Sequence, residues 1–173
     1  MPKKNPNDFF VITHNIRSAF NVGSIFRTAD AVGINKIYLC GYTPTPPDDK
    51  IKKVALGADD SVPFESFKGT ASLIKRLKKQ GVRIIALENN LEEDLALSEQ
   101  SELKGIDYRK FKPQFPLALV LGNEVKGLSK AILKLADQII YLPMTGKKES
   151  LNVSVAFGVA SYHIAHSRYF GIK

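Results

Sequence analysis

The stretch LPMTGKKESLNVSVAFGVASYHI, Leu142–Ile164, decides how the chain is read. It leaves an apolar run at Pro143, turns through Gly146, crosses Lys147 and Lys148, and enters a helix at Ser150-Leu151-Asn152. Proline removes a ladder donor and glycine admits positive φ, so this joint is expected to be a tight loop. Ser150 and Asn152 are residue types that cap helix N-termini. Loops between a strand's carboxyl end and a helix's amino end are also where open α/β sheets hold ligands. Alone, the stretch reads equally as an ordinary strand–loop–helix joint, and the rest of the chain has to decide.

Upstream, LALVL (Leu117–Leu121) is unbroken and apolar, as expected of a strand buried on both faces. FFVIT (Phe9–Thr13), KIYLC (Lys36–Cys40), RIIAL (Arg83–Leu87) and Gln138–Leu142 read as further strands, with an extended segment through Val62 and Phe64. Helical spacing predicts Ser24–Val32, stopped by Gly33, and Ala71–Gln80, stopped by Gly81. Shorter helices are expected over Ile51–Ala58 and Ser129–Leu135, and a last one from Leu151 to about Ser167. Asn89–Phe115 is polar and weakly periodic, with room for one short helix or strand. Alternating strands and helices predict an α/β fold with a parallel sheet covered on both faces. Residues 1–8 read as a polar, basic tail and residues 9–173 as a single domain.

A chain of 173 residues is long enough to bury one real core. Its net charge of +8 favours an anionic partner, nucleic acid first; a merely basic enzyme is the plainer alternative. Cys40, the single cysteine, excludes an internal disulfide and reads as a small buried hydrophobe. There is no Cys cluster for zinc, and no metal is expected. No apolar run approaches the roughly 20 residues of a membrane span, and the first ten residues lack an apolar signal segment. A cytoplasmic protein without membrane association is therefore expected.

Two further loops carry candidate chemistry. His14–Gly33 gathers Asn15, Arg17, Asn21 and Arg27 between two strands. With a helix starting near Val22, Asn21 is expected at its cap. Arg27 is either a surface charge or a partly buried group with Asp30 as partner. Leu117–Ser129 opens a buried strand into Gly122-Asn123-Glu124, where the carboxylate is either a ligand contact or a cap. Gly122 and Gly127 have P-loop spacing, but Leu128 stands where the phosphate-binding lysine belongs, which counts against triphosphate hydrolysis. His163 and His166 have the spacing of a metal pair without further ligands and read as the wet end of a helix. Ser150 lacks a nucleophile-elbow context. In a parallel sheet all three loops leave in one direction and converge.

Together, NVGSIFRTADAVG, LVLGNEVKGLS and LPMTGKKESLNVSVAFGVA resemble, in order, the three motifs of the SPOUT methyltransferase superfamily, in its TrmH/SpoU branch of RNA ribose methyltransferases. Val125-Lys126 depart from the small or acidic residues common there. The resemblance implies a parallel-sheet SPOUT fold with a C-terminal deep trefoil knot, a feature general topology rules would not propose. It implies S-adenosylmethionine as cofactor, held by Gly122, Leu142 and Leu151 with Leu121, Pro143 and Met144 beside them. It further implies a homodimer, RNA as substrate (tRNA favoured over rRNA), and Asn21, Arg27, Glu124, Ser150 and Asn152 as the polar site residues.

The implied reaction is attack by a ribose 2′-oxygen on an activated methyl group. An arginine stays protonated below about pH 12, so Arg27 is read as stabilising the developing alkoxide and gripping the adjacent phosphate. Asn21 and Asn152 orient substrate, and Ser150 bonds the ribose or caps the helix. Lys3, Lys4, Lys75–Lys79, Arg109–Lys112 and above all Lys147 and Lys148 are the candidate RNA footing. A non-catalytic RNA-binding module and a nucleotide-binding enzyme at the Gly122 loop remain as alternatives.

Overall fold

A computed structural model describes residues 5–90 and 105–170, the last two by their backbone. Lys3 and Lys4, and part of the weakly periodic 89–115 region, lie outside the described residues. The elements run β1 (Phe9–His14), α1 (Ala19–Ala31), β2 (Lys36–Cys40), α2 (Asp49–Ala55), α3 (Ala58–Ser61), β3 (Phe64–Phe67), α4 (Thr70–Lys79), β4 (Arg83–Leu87). They continue with β5 (Gly105–Asp107), a 3-10 turn (Tyr108–Lys110), β6 (Leu117–Leu121), α5 (Lys130–Leu133), β7 (Gln138–Tyr141) and α6 (Val153–Phe170).

The sheet order is β3-β2-β1-β6-β4-β7-β5, and every pairing is parallel. β6 is fully buried because it lies mid-sheet, bonded to β1 on one side and β4 on the other. Its alternation splits the core: Leu117, Leu119 and Leu121 face the layer with Phe26 and Phe157, while Ala118 and Val120 face the layer with Ile74 and Leu77. Helices α1 and α6 pack together on the first face. Gly23 lets α2 cross α1 closely, since a Cβ there would stand 2.6 Å from the Ile51 carbonyl oxygen.

Several boundaries differ from expectation. α1 begins at Ala19 rather than near Val22, and its cap is Ser18, whose Oγ accepts the Asn21 amide at 3.3 Å. Asn21 is thus a first-turn residue, not the cap. Helix α6 begins at Val153, two residues later than expected. Asn152 caps it, accepting the Ser154 amide at 2.9 Å, while Ser150 does not. The segment read as one helix over 51–58 is two, because Leu56 and Gly57 adopt left-handed backbone that breaks it. α5 runs from Lys130 to Leu133, ending two residues earlier than expected. His163 is not a wet helix end: its Nε2 lies 3.0 Å from the Phe111 carbonyl oxygen and its ring meets Tyr108 edge-on.

Cys40 is buried as expected, and burial pushes its thiol up to about 11 despite a hydrogen bond with Thr70. Among the described residues, no helix is long and apolar enough to cross a membrane, and no three His, Cys, Asp or Glu side chains cluster as metal ligands.

Candidate active site

Because β1, β4, β6 and β7 are parallel, their exits meet at one edge of the sheet. Glu124, just past β6, organises that edge. Its Oε2 accepts the Arg17 amide at 2.8 Å, and its Oε1 accepts the Ser18 amide and the Asn21 side-chain amide, both at 3.0 Å. A carboxylate on the cap amide of α1 and the amide before it also complements the helix dipole. Burial alone pushes the Glu124 carboxyl up, but these three donors outweigh it and leave the group below its usual range.

Asn152 joins the same set. Its Nδ2 donates to Asn21 Oδ1 at 3.1 Å while its Oδ1 caps α6. The three loops therefore meet through one chain of side chains, Glu124–Asn21–Asn152. The sequence left open whether Glu124 holds its own loop or Arg27; it holds the entrance to α1.

A pocket beside this chain is lined by Leu121, Gly122, Glu124, Ser150 and Leu151. Gly122 is required by close approach: a Cβ would lie 2.6 Å from the Gly127 carbonyl carbon and 2.8 Å from the Leu128 nitrogen. Leu142, Pro143 and Met144 line a second, adjoining hollow at the β7 exit.

The two hollows share Asn89, a residue the sequence reading passed over. Its Oδ1 accepts the Leu142 amide at 3.0 Å, and its Nδ2 donates to the Leu142 carbonyl at 2.7 Å and the Glu149 carbonyl at 3.3 Å. One side-chain amide thus reproduces a peptide's pairing just beyond the β4–β7 ladder and pins both ends of the 143–149 loop. The sole sequence signal was an Asn two residues past a strand.

Arg27 stands apart from this network. It is exposed on α1, lines neither hollow, and its guanidinium makes no hydrogen bond or ion pair among the described residues. Asp30, its expected partner, instead accepts the Ser61 hydroxyl at 2.8 Å.

The Gly122 loop is also a poor phosphate cradle. The amides of Val125 and Lys126 are given to Asn123 Oδ1, that of Leu128 to Glu88, and those of Asn123 and Gly127 to each other's carbonyls. Two carboxylates, Glu88 and Glu124, line the space where a triphosphate would sit. Both features disfavour a nucleoside triphosphate there.

The basic footing divides. Lys147 and Lys148 are exposed on the loop pinned by Asn89. Lys78 is paired with Asp137 at 2.7 Å, and Arg109 with Asp107, so those two cations are committed within the protein.

Comparison with known proteins places the whole chain rather than single residues. The chain is 33% identical over 168 residues to a tRNA (guanosine(18)-2'-O)-methyltransferase from Aquifex aeolicus, covering 96% of this chain and 72% of that one. It is 29% identical over 158 residues to the 23S rRNA (guanosine-2'-O-)-methyltransferase RlmB of Ralstonia nicotianae, covering 91% of this chain and 58% of the relative. An AdoMet-bound rRNA methyltransferase from Sinorhizobium meliloti superposes with a TM-score of 0.81 at 26% identity, covering 96% of this chain and 59% of that one. The chain thus spans less than two thirds of the length of the last two. The SpoU rRNA Methylase model matches residues 8–162. On these grounds the chain belongs to the SpoU rRNA methylase family.

Proposed function

We propose that the protein is an S-adenosylmethionine-dependent RNA 2′-O-ribose methyltransferase acting on tRNA or rRNA. The observation that carries this reading is the Glu124–Asn21–Asn152 chain, which joins all three loops beside the Gly122 pocket. The relatives' printed activities point the same way for both RNA classes. Within that choice we favour tRNA.

The residues present fit the cofactor. Gly122 leaves the β6 exit bare of side chain, Leu121 and Leu151 offer apolar walls, and Ser150 and Asn89 supply polar groups. Leu142, Pro143 and Met144 extend the same wall through Asn89. S-adenosylmethionine supplies an electrophilic methyl group on a sulfonium that departs as a neutral thioether.

The chain's own residues then have separable roles. Asn21 and Asn152, held to each other, orient the ribose. Glu124 is a positioning residue: its oxygens are occupied by three donors and its lowered pKa makes it a weak base. Ser150 faces the pocket free of any capping duty and bonds the ribose. Arg27 stabilises the developing 2′-alkoxide, whose proton passes to solvent water, and holds the neighbouring phosphate.

Arg27 lies on the outer face of α1, so it reaches the reaction only in an assembly. The protein works as a homodimer, with a second copy covering the outer faces of α1 and α6. Supporting this, Phe20 (49% exposed), Val155 (52%), Val159 (38%) and Tyr162 (58%) are apolar or aromatic yet in water. From Val153 to Ser167 α6 carries no Asp, Glu, Lys or Arg, so copies of a chain with net charge +8 meet there without repulsion. The segment from β6 to α6 forms the deep trefoil knot. The support is the placing of β6 between β1 and β4, and of β7 between β4 and β5. Residues 9–173 form one domain after a basic tail, and an RNA substrate implies a cytoplasmic location.

The test is transfer of a tritiated methyl group from S-adenosylmethionine to total tRNA and total rRNA, followed by digestion to nucleosides. A labelled 2′-O-methylnucleoside is expected. Cofactor-independent RNA binding without transfer would instead establish the non-catalytic module.

A further inference from the structure

We propose that Tyr42 is a stacking platform for an unpaired base of the RNA, set beside the Glu124 loop. The inference rests on the RNA reading above and adds a residue outside the three motif loops. Tyr42 follows β2, in a loop the motifs do not include. The residue is 60% exposed, yet it is held at both ends. Its hydroxyl oxygen accepts a hydrogen bond from Asn123 Nδ2 at 2.9 Å, and its backbone amide donates to Asn15 Oδ1 at 3.3 Å.

The clamp is itself built in. Asn15 adopts a left-handed φ of 57°, and its carbonyl accepts a second hydrogen bond from Asn123 Nδ2 at 2.8 Å. Asn123 also takes the amides of Val125 and Lys126. One Asn therefore fixes both the Glu124 loop and the exposed aromatic ring.

An aromatic face kept in water and held rigid loses little freedom when a flat partner lands on it. Its surroundings specify which partner. Arg17 and Lys126 are exposed on the two loops that the ring bridges. Arg17 donates its amide to Glu124, and Lys126 donates its amide to Asn123, so both exposed cationic residues are rooted in the loops that anchor the ring. An exposed ring with cationic residues on the loops that hold it is the combination that binds single-stranded nucleic acid, with bases stacked and phosphates neutralised. Asn123 directly precedes Glu124, which bonds Asn21. The stacked base is thus one near the modified ribose.

The chain contains no tryptophan, so Tyr42→Trp places the only indole on the platform. Its emission is expected to be quenched as total tRNA or total rRNA is added, saturating with the affinity measured by anisotropy. Tyr42→Ala is expected to weaken RNA binding about 10-fold, while Tyr42→Phe, which keeps the ring face, loses less. S-adenosylmethionine binding should be unchanged in all three. The slope of log K against log salt should also be unchanged, because stacking releases no counterions. Unquenched emission, or a Tyr42→Ala protein that binds RNA as tightly as wild type, overturns the platform alone. A change of oligomeric state in Tyr42→Ala would assign the ring to a protein interface and overturn it too. A wild-type protein that binds neither RNA overturns the functional reading beneath it.

Discussion

The Glu124 carboxylate reaches across 103 positions of sequence to hold the Asn21 side-chain amide at 3.0 Å. It holds the Arg17 and Ser18 amides as well, so one side chain fixes where α1 begins and where Asn21 points. Glu124→Ala leaves these donors without their acceptor. Methyl transfer should fall by about 100-fold through misplacement of Asn21, with Tm lowered by a few degrees and RNA affinity retained. Steady-state kinetics beside a thermal melt would check this; wild-type turnover with a lowered Tm would leave Glu124 a purely structural role.

The same carboxylate gives a pH dependence with a defined sign. Its folded pKa lies below its ordinary value, so its contribution to stability is present above the unfolded pKa and is lost as pH falls through the folded pKa. The stability difference between wild type and Glu124→Gln should be constant above about pH 5 and shrink below it. Urea titrations of both proteins at several pH values would measure the difference.

Arg27 and the pocket should separate on mutation. Arg27→Ala is expected to abolish methyl transfer while S-adenosylmethionine binding, followed by calorimetry, stays within about twofold. Equal loss of both would make Arg27 a structural residue.

Asn89 should behave in the opposite way. Asn89→Ala removes the hydrogen bonds that fix Leu142 and Glu149, so the cofactor wall loosens. Losing three hydrogen bonds at about 0.5 kcal/mol net each corresponds to roughly tenfold weaker S-adenosylmethionine binding. Saturating cofactor should restore most of kcat. Asn89→Asp should not rescue, because it sets a carboxylate against the Leu142 carbonyl.

For the basic loop, replacing Lys147 and Lys148 together by Ala should reduce the salt slope of RNA binding by about 1.5. Lys78→Ala should lower stability without touching that slope, since its charge is spent on Asp137. For the assembly, Tyr162→Glu should convert a dimer into a species near the 19.1 kDa monomer mass in light scattering, with methyl transfer lost at the same time.

The sequence was most informative where local pattern and tertiary environment agree. LALVL reads as a doubly buried strand because both neighbours bury it, and the βα alternation follows from the parallel sheet. Convergence of the three loops follows from that parallelism alone. What could not be read depends on which strands are neighbours. Asn89 matters because β4 lies beside β7, 51 residues on by the Leu87–Gln138 count, and nothing local in ALENN announces it. Ser18 and Asn21 are both capping types, and the choice between them was made by Glu124 from another loop. Arg27 was assigned from its motif, and the structure leaves it exposed, outside the network that joins Glu124, Asn21 and Asn152.

The position of β6 has a consequence for how the molecule comes into being. Until Leu117–Leu121 is made, β3-β2-β1 forms one half-sheet and β4 has no strand to bond. β5 likewise waits for β7, which is synthesised after it. The emerging chain thus passes most of its synthesis with open strand edges on both halves. It closes late, through contacts distant in sequence, and such closure is slow. The strand that joins the two halves, β6, carries Gly122 and Glu124 just past its end, and β7, which brings in β5, leads on to Asn152. The sheet and the Glu124–Asn21–Asn152 chain are therefore both completed only by the last third of the sequence.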